Sequence, residues 1–339
     1  MKIKIRWLVA IETIIILLLV AFIIYSKMNG PQIETNNNNP SGLLSPRVYS
    51  GLLKPKSFLI VNFDPLRVRL QEYIKQQKLN VSIYVENLRN GAQMGINEDI
   101  GLYPASLNKL PIAILVMDKI EKGSLSFDTL IAINQTDNTD PSSYFHQNKL
   151  TKASVRVLIE KMLKDSDNTA FYTLLRIVDK HDLGTLLNYY SLNPESTYII
   201  PTMQDRNGFT NFVTPVDISN VFASLYLSTV LKPNDSEYIL SLLTDNVFDI
   251  KKIASLPDDV KVAQKFGAYY ANGEKLFHDC GIIYAGETRL LFCIMTKNLD
   301  EPDAVKNVGA FVHAIYSYTN ATREQLDTFK RNGSIALYS

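Results

Sequence analysis

Ser106 and Lys109 stand three residues apart at the start of YPASLNKLPIAILV, residues 103–116, a stretch that is otherwise almost entirely apolar. Residues three apart share one face of a helix, so the two side chains can touch. A buried lysine with a lowered pKa can take the proton of a serine hydroxyl and make it a nucleophile. The alternative is a capping serine and a lysine that reaches solvent. Pro111 should weaken this helix. Either Ser106 and Lys109 are incidental surface residues, or the helix serves to present them.

Ser166, Asp167 and Asn168 form a second polar group, within KDSDNTAFYTLL. Such residues directly before an apolar helix are typical of an ordinary N-cap. The functional alternative is a second hydroxyl that relays a proton and an amide that holds a substrate. Both interpretations remain open for this group taken alone.

Lys265, Phe266 and Gly267 form the third group, on a strand-like segment. A lysine on a strand is usually solvated. The alternative is a cation for a substrate carboxylate, with the glycine allowing a substrate backbone to approach.

Strand-like and helical segments follow a simple order along the chain. VSIYVENLRNGAQMGIN gives two strands around Asn90-Gly91, which is a strong hairpin signal. Residues 105–256 are mostly helical, three strand patterns follow residue 260, and an amphipathic helix runs from Asp303 to Tyr318. This order predicts an α/β fold of the α+β type. We expect a five-stranded antiparallel sheet built from both chain ends and flanked by helices, with an inserted all-helical lobe.

Two helix starts are marked by their residue types. Asp64 can cap a helix that has Pro65 at its first position, and Thr214 can cap another that begins at Pro215. A crevice between the sheet and the helical lobe is where a site is expected.

The N-terminal segment is predicted to span a membrane. Trp7 to Tyr25 is 19 residues interrupted only by Glu12 and Thr13, and a helix of this length would be about 28 Å long. Three basic residues precede it and one follows closely, which places the N-terminus in the cytoplasm. A cleaved signal peptide is the alternative, but no small-residue cleavage site follows Phe22.

The domain boundaries follow from these patterns. Residues 1–28 are predicted to be a cytoplasmic N-terminus and a transmembrane anchor, so the protein would be a single-pass protein of the cell membrane. Residues 29–63 are rich in Asn, Pro, Gly and Ser, which predicts a flexible extracytoplasmic linker. Residues 64–339 are predicted to form the extracytoplasmic folded domain.

Composition excludes several classes of function. A formal net charge of +1 over 339 residues gives no electrostatic case for nucleic-acid binding. Two cysteines and four scattered histidines show no ligand spacing, so neither zinc nor another metal or cofactor is expected. The pattern gives no indication of oligomeric state.

In order and spacing, the three polar groups resemble the motifs of the penicillin-recognising serine enzymes. Those are Ser-x-x-Lys at a helix start, Ser-Asp-Asn before a helix and Lys-x-Gly on a strand. The resemblance covers roughly residues 64–335 and is greatest to class A β-lactamase-like serine hydrolases. It implies a buried central helix that begins with the nucleophile and has a proline soon after the lysine, which accounts for Pro111.

The resemblance implies roles for the polar groups. Ser106 would be the acylated nucleophile, Lys109 its base, and Ser166 would pass a proton to the leaving group. Asn168 would bind a substrate amide, and Asp167 would be structural.

The strand motif receives its roles from the same resemblance. Lys265 would shape the electrostatics around a substrate carboxylate. The N–H groups of Ser106 and Ala268 would form an oxyanion hole, with Gly267 leaving room for the substrate.

The chain departs from the family in two places. Phe266 stands where the family has Thr or Ser, whose hydroxyl binds the substrate carboxylate, so the ring either turns away from the cleft or narrows it. Class A β-lactamases also carry a Glu with an Asn four residues later, and that Glu activates the deacylating water. Here Ile199, and not an Asn, stands four residues after the candidate acid Glu195, and Asp205 also lacks the pattern. Deacylation of the acyl-enzyme should therefore be slow.

The sequence therefore predicts a membrane-anchored serine hydrolase or acyltransferase that works through an acyl-enzyme on Ser106. Its expected partners are a cell-wall peptide or a β-lactam-like small molecule, and the membrane through the N-terminal helix. One alternative is a class A β-lactamase proper. Another is a catalytically weak pseudoenzyme that binds cell-wall fragments or a protein partner.

A hairpin register predicts where the only two cysteines lie. In HDCGIIYAGETRLLFCIMTKN the turn centres on Gly286-Glu287, which places Cys280 directly opposite Cys293. Alternation from the turn makes them a non-hydrogen-bonded pair, with Cα atoms about 4.5 to 5.5 Å apart. Such a pair can form a disulfide outside the cytoplasm. The alternative is two buried thiols that pack as small apolar side chains.

Overall fold

The computed structural model describes residues 42–44, 62–138, 140–178, 182, 185, 186, 212–271 and 273–332, and for residues 322–332 it describes the backbone alone. The helices are α1 Asp64–Gln77, α2 Lys109–Glu121, α3 Tyr144–Gln147, α4 Val155–Lys164, α5 Asn168–Ile177, α6 Pro215–Leu227, α7 Pro233–Leu243, α8 Ile250–Ile253 and α9 Glu301–Asn332. The strands are β1 Asn80–Asn87, β2 Gln93–Ile96, β3 Leu130–Ala132, β4 Lys152–Ser154, β5 Lys261–Ala271, β6 Glu274–Ala285 and β7 Thr288–Lys297.

Five strands form one antiparallel sheet in the order β2-β1-β7-β6-β5. Its strands come from both ends of the described chain, because β1 and β2 precede the helical block and β5 to β7 follow it. The predicted five-stranded antiparallel sheet is therefore confirmed. A short pair, β3 with β4, lies within the helical block and was not predicted.

The β6–β7 hairpin has the predicted register. Ala285 pairs with Thr288 across the turn, and Cys280 pairs with Cys293, where the two cysteines form a disulfide. Their Cα atoms are 4.0 Å apart, closer than the predicted separation. The register matters because side chains alternate with a period of two, so a slip of one residue would move every side chain of the strand to the opposite face of the sheet.

The sheet separates two apolar cores. One core lies between the sheet and the helical block, and α2 contributes a nearly continuous buried run from Leu110 to Met117. The other lies on the opposite face, under α1 and α9, and includes Leu66 and Phe311. Burial on both faces explains why β6 and β7 read as nearly unbroken apolar strands.

The helix boundaries agree with the sequence signals at one of the two marked starts. Thr214 caps α6 and forms a capping box with Asp217, as the sequence predicts. The predicted cap at Asp64 is wrong by one residue, because Phe63 is the N-cap and Asp64 is already helical. The closing helix is also longer than expected, since α9 begins at Glu301 and continues beyond Tyr318 to Asn332.

Three described residues of the predicted linker, Leu43, Leu44 and Phe63, are buried in the folded domain. Leu43 and Leu44 are 3% and 1% exposed, and the Leu43 carbonyl accepts a hydrogen bond from the Tyr284 hydroxyl at 2.8 Å. The apolar surface that these two adjacent leucines bury favours their packing against the domain, although the surrounding segment is polar. Residues 42–44 therefore belong with the core at the end of the β6–β7 hairpin.

The predicted transmembrane segment, Trp7 to Tyr25, lies outside the described residues. Among the residues that the structure does describe, no helix is both long and apolar enough to cross a bilayer.

Candidate active site

The Ser106 side chain is presented by a tight turn rather than by the α-helix itself. Residues Ala105 to Asn108 form a 3-10 turn that leads directly into α2 at Lys109. Ala105 has a φ of 48°, a left-handed conformation that alanine rarely adopts. Pro111 falls in the first turn of α2, where N–H groups have no intrahelical partner, so its cost to the helix is small.

Lys109 lies at the centre of the polar network and is only 2% exposed. Its Nζ atom lies 3.0 Å from Ser106 Oγ and 3.1 Å from Ser166 Oγ. It also contacts Asn168 Oδ1 at 2.8 Å and the Ser166 carbonyl oxygen. The structure therefore brings the first two sequence groups together around one amine.

The protonation state of this amine decides what the network can do. Burial lowers the pKa of Lys109 to about 7, against the opposing effect of the Asp167 and Asp140 carboxylates. A neutral amine has two N–H groups and one lone pair. The Asn168 oxygen and the Ser166 carbonyl can only accept, so they occupy the N–H groups and leave the lone pair for a serine hydroxyl. Such an amine can remove the Ser106 proton.

The Ser-Asp-Asn group has both a capping and a site-building role. Asp167 caps α5 through the Ala170 N–H and accepts hydrogen bonds from Ser143 Oγ at 3.0 Å and from the Tyr144 N–H at 2.8 Å. Ser166 has a φ of 57°, so a non-glycine residue holds a left-handed conformation at this position. The N-cap therefore fixes the positions of the flanking Ser166 and Asn168 side chains.

Lys265 reaches the same network from β5. Its side chain is fully buried, and its Nζ atom lies 2.9 Å from Ser166 Oγ and 3.1 Å from the Phe266 carbonyl oxygen. Burial lowers the pKa of Lys265 well below its usual value, Lys109 lowers it further, and Asp279 opposes both effects. Ser166 Oγ thus lies between two lysine amines.

Gly267 brings β5 close to the turn that carries Ser106. A Cβ atom at Gly267 would lie 2.8 Å from the Pro104 carbonyl oxygen and 3.1 Å from the Ser106 nitrogen. The missing side chain therefore allows β5 to approach the turn that carries Ser106, and Ala268 is the next residue on that strand. Two N–H groups in such an arrangement can stabilise the oxyanion of a tetrahedral intermediate.

Phe266 turns its ring into an aromatic cluster and also contacts the site. Its ring centroid lies 5.3 Å from that of Phe248 and 6.4 Å from that of Phe277. The Lys265 Nζ atom lies 4.5 Å from the centroid of the Phe266 ring, within the range of a cation–π contact. The ring therefore lies next to the Lys265 amine and at the same time packs against the other two rings.

Two residues that support the site were missed in the sequence. The Asn168 amide donates a hydrogen bond to Asp140 Oδ2 at 2.8 Å, which orients its oxygen toward Lys109. Burial alone would raise the pKa of Asp140, but hydrogen bonds from Ser142 and Asn168 hold it below its usual value. Asp140 precedes Pro141 in a turn-like segment, which gives no indication of this distant partner.

The second missed residue is His278, which is fully buried on β6. Its Nε2–H donates to the Tyr103 carbonyl at 2.9 Å, and its Nδ1 accepts from the Thr296 N–H at 3.3 Å. Burial lowers the pKa of His278 to about 4, so the ring is neutral near pH 7. It supports the segment that leads into the Ser106 turn. A single histidine on a strand gives no sequence signal for that role.

Glu195 and Asp205, the candidate deacylation acids, lie outside the described residues.

Sequence comparison relates this chain to known enzymes. A sequence model of the beta-lactamase enzyme family matches residues 65–319. The chain is also 21% identical over 244 residues to the beta-lactamase VEB-1 of Pseudomonas aeruginosa, an alignment that covers 68% of this chain and 81% of that protein.

Solved structures share the fold at low sequence identity. The TLA-1 extended-spectrum beta-lactamase superposes with a TM-score of 0.68 at 19% identity, covering 76% of this chain and 99% of its own. PBP-A superposes with a TM-score of 0.67 at 18% identity, covering 78% and 99%. A variant of PBP-A has been solved as an acyl-enzyme complex with penicillin G, and it superposes with a TM-score of 0.66 at 19% identity, covering 75% and 96%.

Proposed function

We propose that peptidoglycan peptides or β-lactam-like amides acylate Ser106 of this chain, which belongs to the beta-lactamase enzyme family and is a serine hydrolase with that fold. We further propose that this reaction takes place outside the cytoplasm, with the chain anchored to the cell membrane by residues 7–25. The observation that best supports the proposed acylation is the buried Lys109 amine, which lies 3.0 Å from Ser106 Oγ and has a pKa of about 7.

In the proposed acylation step, Ser106 Oγ attacks the substrate carbonyl carbon while its proton moves to Lys109 Nζ. The developing oxyanion accepts hydrogen bonds from the N–H groups of Ser106 and Ala268. Gly267 supports this role because it lets β5 approach the Ser106 turn.

Collapse of the intermediate breaks the bond to the leaving group. Ser166 Oγ, in contact with both Lys109 and Lys265, is placed to pass a proton to the departing nitrogen or oxygen. Lys109 then returns to its neutral state. Asn168 has its amide oriented by Asp140, and it is positioned to bind a substrate amide.

Deacylation is proposed to be slow, because the chain lacks the Glu and Asn pattern of class A β-lactamases around Glu195. We therefore expect a chromogenic cephalosporin to acylate the enzyme but to turn over well below about 10 per second, an ordinary enzymatic rate. Turnover at or above that rate would favour the second candidate, a β-lactamase proper, which the similarity to VEB-1 also favours.

The test of the proposed function is covalent labelling of the full-length protein in membranes. A fluorescent penicillin and a broader fluorophosphonate probe would each be applied to the wild type, to Ser106→Ala and to Lys122→Ala. Lys122→Ala is a matched control, since this lysine is exposed at the C-cap of α2. We expect one labelled band in the wild type and in the control, and none in Ser106→Ala.

Labelling that persists in Ser106→Ala would assign the nucleophile elsewhere and contradict the proposal. The same preparations test the anchor. The labelled protein should sediment with membranes and be released by cleavage within residues 29–41, and a soluble mature form that begins near Ser26 would favour a signal peptide.

A further inference from the structure

Lys265 lies beside a cluster of three aromatic rings. Phe266 lies in register with Asp279 on β6 and packs its ring against Phe248 and Phe277. Phe248 and Phe277 also contact each other, with ring centroids 5.1 Å apart. Three mutually packed rings hold Phe266 in place, so the ring cannot swing aside without loss of these contacts.

The Lys265 ammonium is enclosed on the side of this ring. Its Nζ atom contacts Ser166 Oγ at 2.9 Å, the Phe266 carbonyl oxygen at 3.1 Å and the Phe266 ring at 4.5 Å. An incoming anion would have to displace one of these contacts. The positive charge is itself disfavoured, because burial and Lys109 both lower the pKa of Lys265.

A carboxylate would be poorly stabilised next to these aromatic rings. An anion in a desolvated place needs hydrogen-bond donors, and a phenyl side chain provides none. The face of an aromatic ring also carries partial negative charge, which repels an anion. A neutral ester or amide group loses far less hydration in the same place and can pack against the ring.

We propose that the site favours acyl donors whose leaving group carries no carboxylate, so that neutral amides or esters acylate Ser106 faster than their carboxylate analogues, and penicillins or carboxylate-terminated peptides react slowly rather than not at all. This inference rests on the proposed acylation of Ser106 and narrows its substrate class. In the step, the Ser106 Oγ–carbonyl carbon bond forms and the carbon–nitrogen or carbon–oxygen bond breaks. The Ser106 proton passes to Lys109, and the leaving group receives a proton through Ser166.

The test compares two thioesters of one N-acylated amino acid. One has mercaptoacetate as its leaving group, and the other has methyl mercaptoacetate, so they differ in one negative charge. Acylation rates would be measured from thiol release and intact mass, and each divided by the rate of hydrolysis by hydroxide. We expect wild-type enzyme to favour the neutral thioester by about tenfold or more, the size of one hydrogen bond to a charged group.

Two variants assign the preference to Phe266. Phe266→Thr adds a hydroxyl donor and should raise acylation by the charged thioester about tenfold. Phe266→Leu removes the aromatic face but adds no donor, so it should keep the preference for the neutral thioester. Thermal unfolding would establish that each variant is folded. The ratio of the two acylation rates in the wild type tests the inference without any variant.

Equal or faster acylation of the wild type by the charged thioester would overturn the inference. An unchanged ratio in folded Phe266→Thr would overturn the role of Phe266. A fluorophosphonate adduct on Ser106 reports separately on the proposed function. If that adduct forms but neither thioester reacts, the substrate inference fails alone, whereas absence of the adduct defeats both.

Discussion

On the helical wall of the cleft, side-chain and carbonyl oxygens surround the Lys109 amine, whereas on the strand wall an aromatic ring lies against the Lys265 ammonium. The helical wall is formed by Ser106, Lys109, Ser166 and Asn168, and the strand wall by residues 265–268. Both lysines are buried and share Ser166 Oγ. The polar groups on one wall are those proposed to transfer protons, while the other wall has Phe266 where the family has Thr or Ser. The proposed proton-transfer groups are thus retained in a chain whose proposed recognition site differs from the family.

The largest expected effect is on the helical wall. Lys109→Arg keeps a cation but cannot provide a neutral amine, because arginine does not deprotonate in proteins. We expect acylation of Ser106 to slow by about 100-fold to 10,000-fold, the usual contribution of a general base. Stopped-flow acylation by a fluorophosphonate would measure it, with Lys122→Ala as the control. Loss of less than about tenfold would mean that another group removes the proton.

An intermediate effect is expected where the two walls meet. A Cβ atom in Gly267→Ala would collide with the Pro104 carbonyl and crowd the Ser106 nitrogen, which must push β5 away from the turn. Loss of one oxyanion donor costs about 100-fold to 1,000-fold, and partial misalignment should cost about tenfold or more. Acylation kinetics would be compared with denaturant unfolding. A stable variant with wild-type kinetics would remove the oxyanion role from Ala268.

The smallest effect on chemistry is expected behind the strand wall. Cys280 pairs with Lys265 on one side and with its disulfide partner Cys293 on the other. Replacing both cysteines by alanine should lower the free energy of unfolding by up to about 3 kcal/mol, the chain-entropy value for a short loop. Acylation rates should change by less than about threefold, since neither sulfur contacts the proton network. Urea unfolding and thiol counting on denatured, unreduced protein would check this, and two free thiols in the wild type would contradict it.

The β6–β7 hairpin could be predicted from the sequence because its register depends on local features. The Gly286-Glu287 turn and strict alternation place Cys280 opposite Cys293 without any knowledge of the rest of the fold. The three polar groups could likewise be found, because each is a short motif on one element. Their convergence on one polar network followed only from the resemblance to a known family.

Other features depend on partners far away in sequence and could not be predicted. Asp140 orients Asn168 across 28 residues, and His278 supports Tyr103 across 175 residues. Leu43 and Leu44 pack into the core although the surrounding segment reads as a linker. The direction of the Phe266 ring was open for the same reason, since it depends on Phe248 from the loop before α8.

The proposed acylation of Ser106 depends most on the neutral Lys109 amine as its base. The direct test is the single-turnover rate of Ser106 acylation by a neutral ester, measured from pH 5 to pH 10 in the wild type and in Lys109→Arg. Only the unprotonated amine can accept the serine proton, so the rate should rise with pH, with its midpoint at about 7, and then stay constant. Lys109→Arg should lack this rise. A wild-type rate that does not change with pH, or whose midpoint lies near the ordinary lysine value of about 10, would contradict the account.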